Sequence, residues 1–266
     1  MHFVKAGKTV LQNLVDTHCH LNDPIFSDRL PEVLERAKEA GVTAFIVPSY
    51  DIESLERTAI LFGRHPENIF PAYGLHPWFL SENTDLSLLC PYLLKEETVA
   101  VGEIGLDFSL ECPPAEIQVS ALIRQLDMAA ESGLPVLIHC RKAFDRLYEI
   151  LSSYRGRIRG VLHSYSGGKD GMNRFLDLGF YLSFSGSVTR QNARKYSQCA
   201  KAIPLDRMLL ETDAPSIATQ STVASEVEPR HILEVADKIA EIRNLSISEV
   251  CGRSAENARM LFSKMR

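Results

Sequence analysis

No run of eighteen or more apolar residues occurs in this 266-residue sequence, so nothing in it reads as a transmembrane helix. The opening stretch MHFVKAGKTVLQN lacks a continuous apolar segment and a small-residue cleavage site, so it does not read as a signal peptide. No C-x-x-C pair is present. The six cysteines, at 19, 90, 112, 140, 199 and 251, are scattered, as expected of reduced thiols in a cytoplasmic protein. No G-x-G-x-x-G exists to mark a dinucleotide site. Low-complexity segments, charge runs and linkers are missing too, and no obligate protein partner is evident. A net charge of −5 excludes a broad electrostatic grip on nucleic acid, yet allows an enzyme that reaches phosphates through metals and a few arginines.

What is there is ordinary in bulk and patterned in detail. With 45% apolar and 24% charged residues the chain can bury a sizeable core. Short apolar runs rich in β-branched residues predict eight strands, at 14–18, 42–48, 69–74, 98–104, 135–139, 160–164, 181–185 and 208–211. Helical periodicity fills the intervals at 30–40, 52–64, 86–95, 115–132, 143–154, 169–178 and 192–202, and two more helices follow at 230–243 and 246–263. Gly41, Gly133 and Gly179 stand just past helical stretches, where a left-handed C-cap is wanted. Eight near-continuous apolar strands alternating with helices predict one (β/α)8 TIM barrel over residues 1–266. Residues 1–12 precede the first strand and have no assigned role.

The polar residues then fall into place. His18-x-His20 ends the first strand, and alternation puts both imidazoles on one face with Cys19 pointing away. Alone this motif is weak, because short patterns match by chance. Other strand ends carry Tyr73-Gly74-Leu75-His76-Pro77, Gly102-Glu103-Ile104-Gly105-Leu106-Asp107, Ile138-His139-Cys140-Arg141, Leu162-His163-Ser164 and Glu211-Thr212-Asp213-Ala214-Pro215. In a parallel barrel these ends gather at one mouth. Charged and imidazole groups there are costly to bury unless paired or bound to metal. The set therefore points to two divalent cations, Zn, Mn or Mg. His18, His20 and Asp213 hold one, His139 and His163 the other, and Glu103 bridges them.

The motifs DTHCHL, YGLHP, VGEIGLD, LIHCR, HSYSG and ETDAP, in that order between residues 16 and 215, resemble the TatD-type deoxyribonuclease family of metal-dependent hydrolases, within the amidohydrolase-like barrels. The resemblance implies phosphodiester hydrolysis with exonuclease or repair-type activity on DNA. It also implies that Glu103 stands where related amidohydrolases carry a carbamylated lysine. In the resulting mechanism Asp213 takes a proton from the attacking water, while His76 and Arg141 contact substrate. The sequence departs from the family after ETDAP: Ser225-Glu226-Val227-Glu228-Pro229 keeps Glu-Pro but lacks the usual preceding Arg-Asn. That loss favours DNA ends or short oligonucleotides over long duplex, with Arg190 and Arg194 supplying further phosphate contacts. A hydrolase of a carbonyl substrate (amide, lactone or aminoacyl ester) is the alternative.

Blander roles are expected elsewhere. His65 caps a helix C-terminus, and His2 and His231 are solvent-exposed. Asp16 is a structural acceptor or a partner to a ligand, and Asp107 orients a ligand or caps a loop. Trp78 and Phe79 fill core or form a stacking platform.

Overall fold

The computed structural model describes residues 13–265; His2 and the segment before residue 13 lie outside them. Eight strands form one sheet in the order β1 to β8: β1 (Leu14–Asp16), β2 (Val42–Pro48), β3 (Ile69–Tyr73), β4 (Ala100–Asp107), β5 (Val136–Arg141), β6 (Gly160–Leu162), β7 (Tyr181–Phe184) and β8 (Met208–Leu210). Every sequential pair is parallel. The sheet curls round until its ends meet. There Thr17 donates its N–H and its hydroxyl to the Leu210 carbonyl (3.2 and 2.9 Å), and Asp213 N–H donates to His18 O (2.9 Å). The fold is a TIM barrel, as the alternation of strand and helix signals predicts.

Helices α1 (Leu30–Glu39), α2 (Ile52–Arg64), α3 (Cys90–Leu93), α4 (Ala115–Ser132), α5 (Phe144–Ser152), α6 (Lys169–Asp177), α7 (Arg194–Ala202), α8 (Ile232–Arg243) and α9 (Ile247–Leu261) accompany the strands. Their ends follow local chemistry. Asp51 and Ser54 form a reciprocal capping box at the start of α2. His65 closes that helix, as expected, its N–H reaching Leu61 O and Phe62 O. Gly41, Gly133 and Gly179 adopt positive φ, the left-handed turn that a side chain would strain.

Boundaries moved where tertiary pairing won. The helix expected over 86–95 is a 3-10 turn (Leu86–Leu89) followed by α3, because Asp85 caps Ser87 N–H and Pro91 offers no N–H to continue the ladder. β4 runs on to Asp107 because Gly105, Leu106 and Asp107 pair with His139, Cys140 and Arg141. At Gly105 (φ 152°) a Cβ would collide with the His139 carbonyl, so a glycine lets β4 and β5 meet there.

Two buried clusters make the core. The larger packs the helices against the outer face of the sheet, with Phe45, Leu126, Leu147, Phe175 and Ile239 among its members. The smaller joins Val15, Ala44, Ile46, Ala72, Leu137, Val161 and Leu209 of the strands to Ala258, Leu261 and Phe262 at the end of α9. α9 also completes β8: Ser254 Oγ accepts the Leu210 N–H, and Asn257 Nδ2 donates to Met208 O.

Candidate metal centre

The strand ends converge on Glu103, which β4 carries to the mouth almost fully buried. Its two carboxylate oxygens face different partners. Oε2 lies 3.2 Å from His18 Nε2 and 3.4 Å from His20 Nε2, whereas Oε1 lies 2.8 Å from His163 Nε2, 3.2 Å from His139 Nδ1 and 3.5 Å from His76 Nε2. Asp213 joins the first side, its Oδ1 3.4 Å from His20 Nε2 and 3.7 Å from His18 Nε2. It sits in the left-handed region (φ 52°), a strained backbone of the kind that clusters at functional sites. β1 stops at Asp16, so His18 and His20 lie beyond the strand; their Nε2 atoms nonetheless converge to 3.2 Å. Cys19 turns away, its thiol buried toward Ile46 O.

Partners behind the rings settle which nitrogen faces the centre. His139 Nε2 donates to Asp107 Oδ2 (3.1 Å), which turns Nδ1 toward Glu103. His163 Nδ1 faces Glu211 Oε1 at 3.4 Å, leaving its Nε2 toward Glu103. A carboxylate bonded behind an imidazole, as Asp107 is behind His139, fixes the orientation of the ring. His76 is wired in the opposite sense. Its Nδ1 accepts the Trp78 backbone N–H (3.2 Å), so in the neutral ring Nε2 carries the proton and acts as a donor.

The electrostatics favour bound positive charge. Burial opposes ionisation of Glu103, but the imidazole of His163, with His18, pulls its carboxyl well below the usual range. Asp213 is likewise held low, against burial, by His20 and His163. Burial also works against charge on His20, yet the carboxylates of Asp213 and Glu103 outweigh it and raise the ring to about 10. His139 and His163 rise for the same reason, through Asp107, Glu103 and Glu211. His76 differs: burial wins and lowers it to about 3, so it stays neutral. Four imidazoles able to give up a proton to a cation, with two ionised carboxylates, form an N/O donor set suited to borderline divalent cations. Among the described residues three trios bring donor atoms within 4.8 Å of one another: His18, His20 and Asp213; His76, Glu103 and His139; His18, His163 and Glu211.

The remaining expectations divide. Asp107 does both things foreseen, orienting His139 and capping the loop through Ser109 N–H (2.9 Å). Asp16 accepts from Thr212 N–H and Oγ1–H (3.0 and 2.5 Å) and ties β1 to the loop bearing Asp213. Arg141 is exposed at the end of β5 and does not line the cavity of about 250 Å³ that opens above Glu103. Arg190 borders a separate cleft with Gln191 and Gln220, and Arg194 is exposed on α7. His231 is not exposed. It is buried, its Nδ1 accepting the Glu228 backbone N–H (2.9 Å), because the Glu-Pro segment folds into a 3-10 turn that it caps. Glu211 went unassigned in the sequence, although its spacing two residues before Asp213 was the available signal. Tyr50, Asp23 and Ser216 also line the cavity and carried no sequence signal.

Comparison with known proteins agrees with this geometry. The family model described as TatD related DNase matches residues 15–263. A metal-dependent hydrolase of Bacillus subtilis strain 168, YabD, is 34% identical over 252 residues, covering 94% of this chain and 98% of that protein. The human deoxyribonuclease TATDN3 is 32% identical, with 95% and 96% covered. The crystal structure of YJJV, a TATD homolog from Escherichia coli K12, superposes with a TM-score of 0.88 at 32% identity, covering 94% of this chain and 98% of that one. The chain belongs to the TatD-related DNase family and is a metal-dependent hydrolase.

Proposed function

We propose that this hydrolase cleaves phosphodiester bonds at DNA ends or in short oligonucleotides, using two divalent cations. His18, His20 and Asp213 would hold one, His139 and His163 the other, and Glu103 would be shared. The split of the Glu103 carboxylate between two histidine groups carries this reading. Such cations, when bound, polarise a phosphoryl oxygen and make a coordinated water acidic enough to attack near neutral pH.

The other steps fall to the chain's own groups. Asp213, anionic and facing the cavity, accepts the proton of the attacking water. His76, neutral with Nε2–H directed inward, donates to a phosphoryl oxygen as charge builds there. Asp107 and Glu211 keep His139 and His163 turned toward Glu103. Arg141, outside the cavity, meets a neighbouring phosphate of a longer strand. The deoxyribonuclease name of the human relative supports the substrate class. All six cysteines are free thiols, in keeping with a reducing compartment such as the cytoplasm, and no described helix is long and apolar enough to cross a membrane.

The test compares single-stranded, duplex and covalently closed DNA, with an amide, a lactone and an aminoacyl ester, on protein loaded with Mg²⁺, Mn²⁺ or Zn²⁺. Elemental analysis should give two metals per chain and turnover should favour oligonucleotide ends. Cleavage of the carbonyl substrates alone would overturn the assignment, and robust cutting of closed duplex would overturn the preference for ends.

A further inference from the structure

Trp78 and Phe79 leave 50% and 49% of their surface in solvent, although Pro77 and Leu80 on either side are buried. Both line the cavity that holds Glu103 and Asp213. They are also held in place. Trp78 N–H donates to His76 Nδ1 (3.2 Å) and Phe79 N–H to His76 O (3.0 Å). The indole Nε1–H donates to Asp107 Oδ2 (2.8 Å), the oxygen that also receives His139 Nε2. On the other flank Tyr50 meets Phe79 and His20, each at 5.4 Å between ring centroids. The rim is thus a fixed arc of rings running from His20 round to Trp78.

From this arc we infer that Trp78, with Phe79 beside it, stacks on an unpaired base next to the bond being cut. The inference rests on the phosphodiester reading and narrows it to single-stranded or frayed ends. An aromatic face holds any base without reading sequence, whereas bases inside a duplex have their faces covered by neighbours. Among the described residues no lysine or arginine lines the cavity, and those walls offer a nucleotide aromatic surface in place of fixed cations. At about 250 Å³ the cavity is slightly smaller than the ~300–1,000 Å³ usual for small-molecule sites, which suits one nucleotide at a time. Two rings are too little surface for a protein partner, which needs about 800 Å² per side. The indole N–H bond to Asp107 adds a link from the stacked base to the orientation of His139.

Trp78 is the sole tryptophan, so its emission reports stacking without turnover. The metal-loaded protein is titrated with a short single-stranded oligonucleotide whose terminal linkage is an unhydrolysable methylphosphonate, and with the same strand ending in an abasic residue. The base-ended strand should quench the emission and the abasic one should not. With cleavable versions, kcat/KM should favour the base-ended strand by about 5- to 150-fold, mostly through KM. That ratio should collapse toward one in Trp78→Ala and largely survive in Trp78→Phe, which keeps a ring but loses the N–H. Efficient cutting of both strands with no quenching, and an unchanged ratio in Trp78→Ala, would overturn the stacking role and leave the phosphodiester reading standing. A Trp78→Phe defect as deep as that of Trp78→Ala would assign Trp78 to Asp107 and not to a base. If no oligonucleotide is cut while a carbonyl substrate is, the phosphodiester reading falls and this inference with it.

Discussion

Glu103 and Glu228 are both glutamates, both nearly fully buried and both ionised below the usual carboxylate range, yet their surroundings differ in kind. Glu228 takes a bidentate pair from Arg36 (2.8 and 2.7 Å), with Arg230 at 3.3 Å and Arg29 at 4.0 Å. Among the described residues Glu103 has no arginine as an ion-pair partner, and it faces five histidines. A guanidinium never gives up its charge, so the Glu228 cluster is complete as folded and serves as an anchor. An imidazole can release its proton to a metal, so the Glu103 cluster is one whose positive charge is exchangeable. The lesson is that burial of an acid says little until the permanence of its counter-charge is known.

The largest effect that would break this contrast is at Glu103 itself. Glu103→Gln should lose metal, read by elemental analysis, and lower turnover by on the order of 10³-fold, because the amide cannot share an anionic charge between two cations. Two metals retained per chain would remove the bridging role. Glu228→Gln should do the reverse, leaving metal content intact while costing stability. Removing one partner of a buried ion pair costs about 3–5 kcal/mol, and partial exposure of Arg36 and Arg230 places this case near the lower value. Denaturant titration of the metal-loaded protein reads it. The pH dependence has a definite sign. Burial opposes the Glu228 charge but Arg36 lowers its folded pKa below the ordinary 4.5, so this stability is complete above 4.5. It is lost as pH falls through the folded value, and Glu228→Gln should flatten that part of the acid profile.

Smaller changes sharpen the picture inside the Glu103 ring. His76→Ala should cut turnover by about 10²-fold, the usual loss for one such donor, with metal stoichiometry unchanged. A lost metal would make His76 a ligand after all. Asp107→Asn should weaken metal affinity by about 10- to 100-fold through misorientation of His139. Equilibrium dialysis would show this, and unchanged affinity would leave Asp107 to cap the loop and hold Trp78.

Much of this contrast was legible in the sequence, and unevenly so. The eight strands announce themselves because each is buried on both faces and therefore reads as a continuous apolar run. The residues proposed as ligands stand out because imidazoles and acids ending such runs need a reason to be there. The Glu228 anchor was not legible, since Arg36 lies 192 residues away and pairs only through the fold. The same distance hid the burial of His231, whose role depends on a turn that the Glu-Pro segment makes against α1. Nor could spacing reveal that His76 turns its Nε2 toward Glu103 and His139 its Nδ1. That difference is set by Trp78 N–H behind one ring and Asp107 behind the other.

The dependence of β8 on α9 bears on how the protein is made. Ser254 and Asn257 satisfy the backbone of β8, and Leu261 and Phe262 join the cluster of strand residues that includes Leu209. Asp213 follows β8 directly, and its own N–H bonds to His18 at the opposite end of the sheet. A chain still being synthesised therefore has its histidines long before it has the helix that secures the strand bearing their last carboxylate. Full closure waits for α9, so the donor set comes together only once that helix has been made and can pack beneath β8.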